Sequence, residues 1–143
     1  MSIMTSTSGA SLWRGYEYYS NKKVKSITKT TEDEYEGLVS GSRKKPYNVK
    51  INVAHIRQSK CNCPHADGKR IICKHMVALY FTAFPKEADN YIKEVEAYEH
   101  AEEKRQKEHY AEVKKYVYSL SKDELRRELL NYIIESEENN RYW

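Results

Sequence analysis

Four residues within fifteen positions constrain this chain more than any other feature: Cys61, Cys63, Cys73 and His75, arranged as CxC and then CxH. They use every cysteine the chain has. A structural zinc ion takes four thiolate or imidazole ligands in a tetrahedron, and three Cys with one His is a common set. In an extended segment residues i and i+2 point the same way, so Cys61 and Cys63 can share one ion. Pro64 and Gly68 let the chain turn back, and Cys73 and His75 then arrive together at the head of an apolar run. Lys60, Lys69, Arg70 and Lys74 flank the ligands, where they can offset the charge of three thiolates or donate to sulfur. Cysteines acting as small buried hydrophobes would have apolar neighbours, whereas these have Lys, Asn and Pro. A redox pair more often reads CxxC and leaves His75 without a role. His65 reads as a loop residue beside the site, and His55, His100 and His109 as surface residues.

Three cysteines cannot form a complete disulfide set, and the opening MSIMTSTSGASLW reads as no secretory signal. The expected compartment is therefore reducing and intracellular, cytoplasm or nucleus, where clustered cysteines bind metal. No stretch approaches the roughly 18 apolar residues of a membrane span.

Along the chain, residues 1–10 are small and polar and read as disordered. Trp13, Tyr16 and Tyr19 recur at helical spacing, which predicts a short amphipathic helix over 11–22. Residues 24–30 and 35–39 read as strands, with Gly37 a candidate bulge. The segment Gly41-Ser-Arg-Lys-Lys-Pro46 is a turn. Tyr47, Val49, Ile51 and Val53 then alternate with Asn48, Lys50 and Asn52, giving the cleanest strand and completing an antiparallel meander. Residues 76–84 (MVALYFTAF) form the buried helix, stopped or kinked at Pro85. Residues 86–118 hold neither Gly nor Pro and predict a long helix, whose apolar stripe is broken by the polar 102–109. Ser121-Lys-Asp-Glu124 fits a capping box before a second helix that carries Leu125, Leu129, Tyr132 and Ile133 on one face. Residues 135–143 read as frayed.

The metal motif and its surroundings resemble the SWIM-type zinc finger. The resemblance lies in Cys61-Asn-Cys63-Pro64, in Cys73-Lys-His75-Met-Val-Ala-Leu79, and upstream in Arg14-Gly-Tyr-Glu-Tyr-Tyr19, Gly37…Val39-Ser-Gly41 and Tyr47-Asn-Val49. The tail from Leu120 (LSKDELRRELL) is similar to helices that follow the finger in some long bacterial members. The resemblance implies a zinc-dependent ββα module that binds DNA or proteins. Its relatives occur with Swi/Snf-family ATPases, Mutator-type transposases and recombination mediators. The expected fold class is α+β: a small antiparallel sheet with a ββα-type finger, then a helical C-terminal extension. The expected division is a disordered 1–10, a finger domain over 11–85 and a helical tail over 86–143.

Charge separates the two halves. Residues 1–75 carry 14 Lys and Arg against 6 Asp and Glu, while residues 76–143 carry 11 against 15. The basic front suits nucleic acid, single- or double-stranded DNA, by releasing condensed counterions. Arg43, Lys44, Lys45, Lys69, Arg70 and Lys74 are the expected contacts, with Tyr16, Tyr18, Tyr19 and Tyr47 available either for stacking on bases or for the core. The alternative is an adaptor for a partner protein, such as an ATPase or recombination factor, docked on the acidic helical tail. Four protein ligands close the zinc, and no GxSxG, Walker, HExxH or paired-carboxylate pattern occurs, so no enzymatic activity is expected.

Overall fold

The structure, a computed structural model, describes residues 2–141. Its elements run α1 (Gly9–Ser20), β1 (Val24–Lys29), β2 (Glu34–Val39), β3 (Tyr47–Asn52), β4 (Lys60–Cys61), α2 (Lys74–Ala83), α3 (Pro85–Ser119) and α4 (Lys122–Arg141). The fold is α+β. The four strands form one antiparallel sheet in the order β1-β2-β3-β4. The fourth strand is the addition to the expected meander: Val49 pairs with Cys61 and Lys50 with Lys60, so the first half of the metal motif is part of the sheet.

Alternation along the strands sends Val39, Tyr47, Val49 and Ile51 to the core side, all at most 4% exposed. Against them lies α2, whose Met76, Val77, Ala78, Leu79 and Phe81 are fully buried. A helix apolar nearly all round must be enclosed on several sides. The sheet covers one side of α2, and α1 packs on another. That second contact is close: a Cβ on Gly15 would overlap the side chain of Val77. Gly37 has the same role beneath the helix. It stays in register opposite Ile27 and Val49, and a Cβ there would meet the Ser26 carbonyl and stand 2.6 Å from Leu79 Cδ1. Gly37 is therefore not a bulge; the irregularity lies in β1, between Val24 and Ser26.

The chain divides into two compact units, Met1–Lys93 and Glu94–Trp143. The first unit runs past Pro85 for a packing reason. Proline is accommodated at the first position of a helix, so α2 ends at Ala83 and α3 begins at Pro85. Ala88 is then buried, and Tyr91 stacks on Phe81 at 5.5 Å and meets Tyr16 at 5.8 Å. At the other end, where disorder was expected, Ser2 and Thr5 close a hydrogen-bonded turn and Ile3 is 2% exposed in the core. Met1, Tyr142 and Trp143, parts of the ranges read as disordered and frayed, lie outside the described residues; α4 itself runs through 135 to Arg141.

In the second unit the Glu124 amide donates to Ser121 Oγ at 3.2 Å, the first half of the capping box. No described helix is long and apolar enough to cross a membrane.

Candidate metal centre and basic groove

The sheet and α2 deliver the four donors from two directions. Cys61 ends β4, and Cys63 follows it at the start of a turn whose Ala66 and Asp67 amides donate to the Cys63 carbonyl. Gly68, at φ +71°, takes the left-handed conformation that lets the segment double back. Cys73 is the N-cap residue of α2, and His75 lies in its first turn. All four side chains are buried, and their donor atoms lie within 4.8 Å of one another.

The arrangement fits a zinc ion. Zn–S and Zn–N bonds of ordinary length imply tetrahedral S···N edges of about 3.6 Å. His75 Nδ1 stands 3.7 Å from Cys61 Sγ and 3.8 Å from Cys73 Sγ. The Nδ1 atom is thus the one that would bind, leaving the proton on Nε2. Nε2 is buried without a hydrogen-bond partner, in surroundings made of rings: Tyr47 at 4.6 Å and Tyr18 at 5.4 Å from the imidazole.

The thiols are already biased for metal. Cys73 is pulled down to about 4, first by the hydrogen bond from Cys61 and then by those from His75 and the Met76 amide, against a desolvation penalty. Cys61 is pushed up by donating that hydrogen bond and by burial, and Cys63 is pushed up chiefly by burial. One buried thiolate is thus shared by its neighbours, and a dication would replace the protons of the other two. Four soft or borderline donors converging without a carboxylate select zinc over harder ions, and one zinc ion satisfies the set.

The cations expected to contact nucleic acid fall into separate places. Arg43 is engaged within its own loop, donating to the Lys45 and Pro46 carbonyls with its guanidinium 4.3 Å from the centre of the Tyr47 ring. Lys44 and Lys45 are exposed beside it. Lys74 Nζ lies over the Tyr18 ring at 4.8 Å. His65 is exposed and, with Arg14 and Lys74, borders a recess of about 360 Å³ that reaches Cys63, Cys73 and His75.

Lys69 and Arg70, by contrast, border a groove of about 950 Å³ across the sheet face that turns away from α2. The strand register builds its floor. One row crosses all four strands as Thr28, Glu36, Lys50 and Lys60, and a second joins Ser26, Leu38 and Asn48. Asn62 extends that row, its side chain accepting from the Asn48 amide at 2.9 Å. Arg57 adds a fifth cation, against the carboxylates of Glu36 and Asp67. Lys50, Arg57 and Lys60 are not among the contacts expected from sequence, although Lys60 flanks the metal ligands and Lys50 stands on the wet side of the clean strand. Lys60 joins the row only through the pairing of β4, which a two-residue strand does not announce.

Among the described residues, no aromatic lines the groove. The tyrosines available for stacking are packed instead: Tyr16 and Tyr19 on Phe81 at 6.1 and 6.0 Å, Tyr18 and Tyr47 on His75.

Residues 47–84 match the family model of the SWIM zinc finger. The matched span holds β3, β4, all four metal donors and α2, which is the ββα unit itself. A search of curated proteins and a search of solved structures each find no match to the chain.

Proposed function

We propose, from the premise that residues 47–84 are a SWIM zinc finger, that this chain binds DNA through the open face of its sheet and performs no catalysis on it. The observation that carries this reading is the groove: Arg57, Lys60, Lys69 and Arg70, beside a Lys50 that is paired with Glu34 at 3.4 Å, against two lining carboxylates, on a floor of Ser, Thr and Asn side chains. Hydroxyl and amide groups hydrogen-bond phosphate and sugar oxygens, and cations displace the counterions of the backbone. With no aromatic platform among the described lining residues and with α2 buried rather than free to enter a groove, phosphate contacts dominate and sequence preference is weak. The role of zinc is structural, because four protein donors leave no open coordination position. A reducing intracellular compartment suits a site built on three thiolates.

Anisotropy titration of labelled single- and double-stranded DNA across a salt series tests the reading. Affinity should fall steeply with salt. Changing Lys60, Lys69 and Arg70 together to Ala should weaken binding by about tenfold or more and flatten the salt slope by about one unit for each phosphate no longer neutralised. The corresponding change of Arg43, Lys44 and Lys45 should have a smaller effect, and neither should alter zinc content. Absence of binding to either DNA at low salt would overturn the proposal in favour of a protein partner.

A further inference from the structure

Helix α4 is 20 residues long, and none of them is buried. Leu129 and Leu130 are 59% and 60% exposed, and Ile133 and Ile134 45% and 47%. Propensity can hold a helix of this length, but it does not take an apolar face out of water. A contiguous exposed apolar face marks an interaction surface.

Charge order along one stripe indicates what covers it. Arg126, Leu130, Ile133 and Glu137 follow one another at intervals of four, three and four residues, the spacing of a seam on one helical face. A cation stands at one end, a carboxylate at the other, and two branched apolar residues lie between. Such a stripe is complementary to its own reverse.

We propose that α4 pairs antiparallel with α4 of a second copy of this chain, about a two-fold axis between Asn131 and Tyr132. That axis sets Arg126 against Glu137 of the partner subunit and Leu130 against Ile133 of the partner subunit. Each contact is made twice, as an isologous interface requires. A parallel pair would instead set Arg126 on Arg126 of the partner subunit and Glu137 on Glu137 of the partner subunit, and like charges in register repel. Nothing within the helix competes strongly. Arg126 Nη1 lies 3.7 Å from Asp123 Oδ1, but both side chains are mostly in solvent, where an ion pair contributes little. Pairing would also place two zinc fingers in one particle, so that a DNA strand could engage both.

Sedimentation equilibrium of the full chain over a concentration series reads the proposal directly. The expected result is a reversible rise from the 16.9 kDa chain mass to twice that value. Arg126→Glu alone and Glu137→Arg alone should each raise the dimer dissociation constant by about tenfold. The double variant, which restores opposite charges across the axis, should return it to within about threefold of the wild type. Leu130→Asp should leave a monomer with full zinc content. A wild-type chain that stays monomeric at every concentration overturns the proposal, as does a double variant no tighter than either single one.

Discussion

Helices α2 and α4 are held in opposite ways. Six of the ten residues of α2 are buried, while α4, twice as long, buries none. Both are helical, for opposite reasons. In α2 the local code is poor, with Val77, Tyr80, Phe81 and Thr82 all weaker helix formers than Ala or Leu, and the sheet, α1 and the metal ligands hold it. In α3 and α4 the local code is strong, with Glu, Lys, Ala and Leu in long runs, a Ser121 cap and ion pairs such as Lys104–Glu108 and Arg105–Glu102. The first unit is held by tertiary contact, the second by propensity.

Zinc removal should separate them most. Structural zinc binding is of order 10 kcal/mol or more and is largely folding energy, so chelation, or Cys73→Ala, should unfold the Met1–Lys93 unit. Far-UV circular dichroism should then retain the helical signal of α4 and most of α3, while amide resonances of the sheet collapse; an unchanged melting curve would contradict this. The same site sets a pH dependence. The Cys73 thiol is depressed to about 4, so its stabilising thiolate, fully present above the ordinary thiol range, is lost as pH falls through the depressed value. A metal-free chain that unfolds keeps all three thiols protonated near neutral pH, so zinc binding should release about three protons. Calorimetry in buffers of different ionisation enthalpy measures that number, and two would mean that the metal-free unit stays folded with Cys73 held as a thiolate.

A smaller effect separates two leucines. Leu79 is fully buried between α2 and the sheet, so Leu79→Ala should destabilise the first unit by about 2–5 kcal/mol. Leu129→Ala should leave the urea midpoint of that unit unchanged, because Leu129 belongs to the other unit and is exposed. Equal shifts at both sites would mean that the two units fold as one.

The smallest expected effect lies in the second unit alone. Ser121→Ala removes the hydroxyl that accepts from the Glu124 amide and should weaken α4 by about 1 kcal/mol. Hydrogen exchange should quicken at residues 122–125 and remain unchanged in the sheet.

How much of this was legible beforehand follows the same division. The zinc donors could be read because ligand chemistry and i, i+2 spacing are local, and β3 because period-two alternation is local. The groove was only half legible. Lys69 and Arg70 lie in the metal loop, but the row Thr28–Glu36–Lys50–Lys60 exists only once the register is set. Gly37 looked like a bulge because a glycine in a strand permits several explanations, and only the approach of Leu79 selects one.

The sequence by itself determined the metal, since four soft or borderline donors converging on one site satisfy few other ions. It determined the helices after Pro85 too, since their residues favour that conformation wherever they are placed. The tertiary structure decided what long-range pairing alone can decide. It made Cys61 part of the sheet and turned His75 Nδ1 toward the sulfurs. It also drew Ala88 and Tyr91 into the first unit and gathered cations distant in sequence along one open face. The reason is that a contact between residues far apart along the chain depends on the register and packing of everything between them, which no local pattern carries.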